Sequence, residues 1–168
     1  MKKKVLPVIV AILLILVIGG CALGKVLLDK YSYSKEEADW NEFYQVSEND
    51  RSAIILQNEM VEEQALIKDG VCYFDLATVH KYMNEVFYAD MTENLLLYAT
   101  PTEVIRTTFG ETAYTTTEGT QEAGYVISFA DGDNVYVAAD YVKLFTNYSY
   151  ECYDRHVQVN TEWGIRQV

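Results

Sequence analysis

Lys68-Asp69-Gly70-Val71-Cys72-Tyr73-Phe74-Asp75-Leu76 has an echo later in the chain, Asp131-Gly132-Asp133-Asn134-Val135-Tyr136-Val137-Ala138-Ala139. Each reads as a tight turn, in which Gly supplies positive φ, followed by an extended apolar run. Set Tyr73 on Tyr136 and the next positions fall into step without a gap. Leu76 meets Ala139, Val79 meets Val142, Tyr82 meets Phe145, Asn84 meets Asn147 and Phe87 meets Tyr150. Asp69-Gly70 matches Asp131-Gly132 with one residue inserted in the second copy, and Leu95 and Leu97 match Val157 and Val159 with one dropped. In the first copy Val79, Tyr82 and Met83 stand at helical spacing within 77–84, so a two-turn helix follows the strand. Residues 86–89 and 95–99 then read as a hairpin around Met91-Thr92-Glu93-Asn94.

Working outward, Ala53-Ile54-Ile55-Leu56 is a buried-strand run and residues 64–68 form another. Two units of strand, turn, strand, short helix and hairpin are expected at 52–100 and 102–162, with 163–168 as the C-terminal end. Residues 29–51 are polar with scattered aromatics and read as a spacer. There Ser34-Lys35-Glu36-Glu37 fits a capping box, and Trp40 and Phe43 are expected to pack onto the body. Apolar positions of period 2 on both sides of a short helix need two sheets or one curved sheet to bury them. The expected fold class is α+β: one N-terminal transmembrane helix (within 1–28), then two β-rich units, each with antiparallel strands around a short helix.

The transmembrane expectation comes from residues 5–24, VLPVIVAILLILVIGGCALG, 20 residues without a charge. At about 1.5 Å per residue they span roughly 30 Å, the thickness of a hydrocarbon core. Lys2, Lys3 and Lys4 precede the run and stay inside by the positive-inside tendency. This predicts an uncleaved signal anchor in membrane lipid: a single-pass cell-membrane protein, N-terminus cytoplasmic, body on the extracellular face. A competing reading is the Ile18-Gly19-Gly20-Cys21 stretch, which resembles a bacterial lipobox and would place a lipid on Cys21. Of the 13 basic residues, four (Lys2, Lys3, Lys4, Lys25) lie in or beside this region, which carries no acid before Asp29. The rest holds nine basic against 25 acidic residues, a net of −16. So acidic a body repels phosphate backbones, which argues against nucleic acid as a partner.

The run Ile67-Lys68-Asp69-Gly70-Val71-Cys72-Tyr73-Phe74-Asp75-Leu76, a short helix and the apolar hairpin resemble the copper amine oxidase N-terminal-like domain. The resemblance implies an accessory module of exported Gram-positive proteins that binds no copper and contacts the cell wall. Over most of the chain, the Lys-rich anchor, Tyr31-Ser32-Tyr33-Ser34-Lys35, Ala53-Ile54-Ile55-Leu56, Asn94-Leu95-Leu96-Leu97-Tyr98, Ala123-Gly124-Tyr125-Val126-Ile127 and Thr161-Glu162-Trp163-Gly164 are similar to a second group. These are the N-terminal parts of membrane-anchored glycoside hydrolase family 18 proteins, in which an SH3 domain and a chitinase-type barrel follow. Here the sequence stops at Val168, so the alternative to an independent envelope module is a truncated or split front end of such an enzyme.

No constellation reads as catalytic, and no cofactor is expected. Family 18 hydrolysis needs a D-x-x-D-x-D-x-E strand, and no such spacing exists here. Asp131-Gly132-Asp133-Asn134 invites calcium, yet position 12 of that loop is Val142 rather than Glu, so a hairpin turn is the reading. His80 and His156 fall in different units without metal-ligand spacing. Cys72 and Cys152 form an even pair outside the anchor, either a disulfide stapling the two units or two buried thiols. Tyrosine is abundant, 14 of 168 residues. Tyr148, Tyr150 and Tyr153 are either cross-strand packing rings or a surface that stacks on wall glycan such as peptidoglycan.

Overall fold

A computed structural model describes residues 24–28, 30–31 and 39–161. Residues 24–28 and 30–31 are helical and belong to a unit separate from the one that begins at Asp39. Among the described residues no helix is long and apolar enough to cross a membrane. Apart from Gly24, the apolar run 5–24 with Cys21, the capping box at 34–37 and the end at 163–168 lie outside the described residues.

From Asp39 onward the chain is mostly β. A short helix α1 (Trp40–Tyr44) precedes β1 (Arg51–Leu56), β2 (Glu59–Lys68) and β3 (Val71–Asp75). Helix α2 (Leu76–Tyr82), β4 (Phe87–Asp90), β5 (Leu95–Ala99), β6 (Val104–Thr108), β7 (Ala113–Thr116) and β8 (Gly119–Glu122) follow. The chain continues through β9 (Ser128–Asp131), β10 (Asn134–Ala138), α3 (Ala139–Lys143), β11 (Tyr148–Cys152) and β12 (His156–Thr161). Seven strands form one sheet in the order β11-β12-β1-β2-β3-β10-β9, and five form a second, β4-β5-β6-β7-β8.

This corrects the expected α+β class of a membrane helix followed by two consecutive β-rich units. The two copies are interlaced instead. Strand β3 of the first pairs antiparallel with β10 of the second, Tyr73 opposite Ala138, Phe74 opposite Val137 and Asp75 opposite Tyr136. Since Tyr73 and Tyr136 are equivalent in the repeat, this register is symmetric about the Phe74–Val137 pair, a local pseudo-two-fold between β3 and β10. The physical reason is edge pairing: each copy alone leaves an apolar strand with one unpaired side, and the other copy's strand satisfies it. Strands β6 to β8 and β1 lie outside the repeat.

The structure also corrects the repeat's register. Lys68 pairs with Val71, and Asp131 with Asn134, so the two hairpins align through the turn with no insertion. The glycine instead changes place in the loop. Asp69 and Gly70 both have positive φ (52° and 79°), as a type I′ turn needs, whereas in the second loop positive φ falls on Gly132 (61°), the first position of a type II′ turn. In the later hairpins Ala89 faces Leu96 and Cys152 faces Val157, so Leu96 and Tyr98 correspond to Val157 and Val159. Leu95 and Leu97 are one residue out, a slip that exchanges the two faces of a strand.

The larger sheet is strongly coiled. Strand β11 lies four places from β3, roughly 19 Å along a flat sheet, yet the Tyr150 and Phe74 rings are 6.3 Å apart. The Tyr148 hydroxyl donates to the carbonyl of Ala139 at the start of α3. The curl brings the concave sides of β11 and β3 together around one core, in which Ile54, Phe74, Val79, Val137, Val142, Val157 and Val159 are fully buried. The second sheet joins that core through Phe87 and Leu96. An aromatic cluster of Phe87, Tyr98, Tyr141 and Phe145 holds it against α3, with ring centroids 4.5–6.2 Å apart.

Candidate functional site

The most exposed aromatic grouping is assembled from the two ends of the compact unit. Asp39 caps α1 by accepting from the backbone N–H groups of Asn41 (2.9 Å) and Glu42 (3.4 Å), as an Ncap carboxylate does. Gln45, with φ of 55°, closes the helix after five residues. In so short a helix Trp40 and Tyr44 are one turn apart and share a face; their rings stack at 6.1 Å and 23°. Tyr44 stacks on His156 at 4.7 Å and 26°, and His156 on Tyr153 at 4.8 Å and 12°. Four near-parallel rings therefore form a continuous pile. Trp40 and Tyr153 close its two ends, each 52% exposed.

The loop before β12 is built to hold His156 and Tyr153 in place. The Tyr153 N–H donates to the His156 carbonyl at 2.8 Å, and Arg155 between them adopts positive φ. The Arg155 guanidinium reaches back to the carbonyl of Asn49 at 3.2 Å and its side-chain oxygen at 3.1 Å. Val46, 2% exposed, anchors the segment after α1, while Phe43 points outward. The expectation that Trp40 and Phe43 would pack on the body is thus corrected: Tyr44 and Val46 do that work. A cleft of about 220 Å³ is lined by Trp40, Tyr44, Tyr153, Asp154 and His156. Beside it Glu151 accepts a hydrogen bond from the Tyr153 hydroxyl, which pushes that phenol upward. The imidazole Nδ1 of His156 is buried without a partner.

Of the rings singled out in the sequence, only Tyr153 belongs to this surface. Tyr148 is buried, 3% exposed, and Tyr150 stacks on it at 6.1 Å. Burial, then neighbouring Tyr150, pushes the Tyr148 phenol up; burial, then Asp140, does so for Tyr150. Trp40, Tyr44 and His156 were read in the sequence as spacer, spacer and isolated imidazole. Their convergence joins residues over 100 positions apart, which no local pattern announces.

Among the described residues the other histidine and the acidic hairpin turn stand apart from this cleft. His80 Nε2 bonds the carbonyl of Phe87, the first residue of β4 in the smaller sheet, at 2.6 Å, whereas His156 begins β12 in the larger one. Asp131 and Asn134 close the hairpin of β9 and β10. Among the described residues no three His, Cys, Asp or Glu side chains gather as metal ligands. A larger hollow of about 520 Å³ is lined by the start of β1, the end of β2 with its turn, and β9. Its cations are engaged: Arg51 donates to the Tyr136 hydroxyl at 2.9 Å and covers that ring, and Lys68 sits 4.4 Å from the centre of the Phe129 ring. Asp50, Asp69 and Asp131 stand around them, a negative setting that disfavours an anion. Cys72 is buried, Cys152 exposed, and both are free thiols. No family model, curated protein or solved structure matches the chain.

Proposed function

We propose that this chain is a non-catalytic, extracytoplasmic module of the bacterial cell envelope. The apolar residues 5–24 hold it at the cell membrane with Lys2 to Lys4 inside, and its aromatic pile contacts wall glycan. The observation that carries the glycan contact is the pile of Trp40, Tyr44, His156 and Tyr153, whose end rings stand half exposed beside an open cleft. A sugar ring has an apolar face of C–H groups and a polar rim. An exposed aromatic face takes the first, and the carboxylates of Asp154 and Glu151 accept from the second. The resemblance of the repeated unit to accessory wall-contacting modules agrees with this reading.

A cleft of about 220 Å³ is smaller than the ~300–1,000 Å³ of typical ligand pockets. It has room for about one ring, so a single site binds weakly and useful retention comes from many tethered copies on a polymer. The test is co-sedimentation of the full chain, in detergent micelles, with insoluble peptidoglycan. Retention is expected, with Trp40→Ala and Tyr153→Ala each lowering it by about tenfold, the effect of losing one stacked ring. Failure of the unaltered chain to sediment, or equal retention of both variants, overturns the reading.

A further inference from the structure

The coil of the larger sheet lays β11 against the concave face of β3. Tyr148, Tyr150 and Cys152 alternate with outward residues on β11 and point inward, as do Cys72 and Phe74 on β3. One contact between them fixes the alignment, Tyr150 on Phe74 at 6.3 Å. The strand pairings fix the sense: β11 runs opposite to β12, β12 along β1, β1 opposite to β2 and β2 opposite to β3, so β11 runs opposite to β3. With the strands antiparallel, the inward residue after Tyr150, Cys152, falls beside the inward residue before Phe74, Cys72. Cys72 is 3% exposed, while Cys152, at the end of the edge strand, is open to solvent. The pair therefore has one sulfur that a reagent can reach and one that only its partner can reach.

We infer that Cys72 and Cys152 are a disulfide-forming site that takes its oxidising equivalents from a small-molecule or protein disulfide and locks the coiled sheet shut. The Cys152 thiolate attacks one sulfur of the oxidant, whose S–S bond breaks and whose other half leaves as a thiolate and takes up a proton. Cys72 then gives up its proton and attacks the Cys152 sulfur. The mixed disulfide breaks and the second half of the oxidant departs as a thiol. Two protein thiols are oxidised, one oxidant disulfide is reduced to two thiols, and the two protons pass to those thiols. The chemistry of each sulfur suits its place: the hydrogen bond with Cys72 holds Cys152 down to about 7, while that same bond and burial push Cys72 up. The bond would close a long loop from β3 to β11, where loop-closure effects are large. This inference stands apart from the glycan reading, since the aromatic pile takes no part in it.

The test treats the full chain in detergent micelles with glutathione disulfide and counts free thiols by alkylation and mass spectrometry. The chain has three cysteines, Cys21, Cys72 and Cys152. The count is expected to fall from three to one, with a cross-linked peptide pair containing Cys72 and Cys152. The same pair should form at least about tenfold more slowly in urea, where the strands are no longer aligned. Oxidation should raise the melting temperature by about 10 °C, reversibly with dithiothreitol. Cys21→Ser should leave the bond unchanged, and Cys152→Ser should leave Cys72 reduced. A glutathione adduct that persists on Cys152, a bond to Cys21, equal rates in urea and in buffer, or no loss of thiols would each overturn the inference.

Discussion

The two copies of the repeated unit start alike and end differently. Their shared part, strand, turn, strand and helix, packs symmetrically about the Phe74–Val137 pair, and Val79 and Val142 are equally buried. Their hairpins part company. The second copy's hairpin returns to the larger sheet, where β12 pairs with β1 in parallel from Ala53–His156 to Leu56–Val159. The first copy's hairpin founds the second sheet, because β6 follows β5 through a short turn closed by Thr100 and Glu103 (2.8 Å) and pairs with it at once. A strand with a close sequence neighbour takes it; β12, with no later strand beside it among the described residues, takes the open edge of β1. Local closure is entropically cheap, and the long-range pairing is left to the element that has no local choice.

Even after diverging, each hairpin packs on the opposite copy. Phe87 of the first lies 6.2 Å from Tyr141 and 5.9 Å from Phe145 of the second, and its equivalent Tyr150 lies on Phe74 of the first. If this exchange is what makes one body of two copies, Phe87→Ala should remove about 3–5 kcal/mol, the range for a buried Phe. The protein should still unfold in a single transition. Denaturant titration followed by fluorescence and by far-ultraviolet circular dichroism checks this. Two separated transitions would show that the copies are independent and break the comparison.

The copies also differ in what base can attack. Tyr141, Tyr148 and Tyr150 correspond to Thr78, Glu85 and Phe87, so core phenols are concentrated in the second copy, the first contributing Tyr73, which burial also pushes up. Burial, aided by nearby negative groups, pushes the second copy's three up, and Tyr125, shortly before β9, up to about 12. A phenol whose folded-state value exceeds its unfolded one, near 10, adds stability that is whole below 10 and is lost as pH rises through the folded value. Between pH 10 and 12 the loss should be about 2 kcal/mol after allowance for the exposed edges. Tyrosinate absorbance should lag and then rise with unfolding, and Tyr148→Phe should flatten the slope. Complete titration of the phenols in the folded state would remove this distinction between the copies.

What the sequence made legible follows the range of the forces involved. The alternation around Tyr73 and Tyr136, the hairpin of β4 and β5, and the position of α2 are local, and were readable within a residue or two. The glycine's shift from the second loop position, at Gly70, to the first, at Gly132, looks like an insertion in the sequence, because the composition Asp-Gly is the same for both turn types. The parallel pairing of β1 with β12 left no mark, since Ile54 and Val157 would suit any buried strand. The pile of Trp40, Tyr44, His156 and Tyr153 was hidden for the same reason, each ring having an ordinary local explanation. The cysteines were visible as an even pair, but only the coil of the sheet shows which face they share.

The smallest difference between the copies is at the start of their helices. Asp75 accepts from the N–H of Ala77 at 2.6 Å and caps α2, whereas its equivalent Ala138 offers α3 no side-chain cap. The asymmetry has a packing cause. Asp75 lies on the rim of the sheet and reaches solvent, but Ala138 is fully buried opposite Tyr73, where a carboxylate would lose its hydration without a partner. Asp75→Ala should cost about 1 kcal/mol in a denaturant midpoint, and Asp75→Asn should restore most of it, since an amide oxygen caps nearly as well. Ala138→Asp should destabilise instead of supplying the missing cap. A gain in stability from Ala138→Asp would mean that the second helix lacks its cap for reasons other than burial, and the two copies would be more alike than their packing suggests.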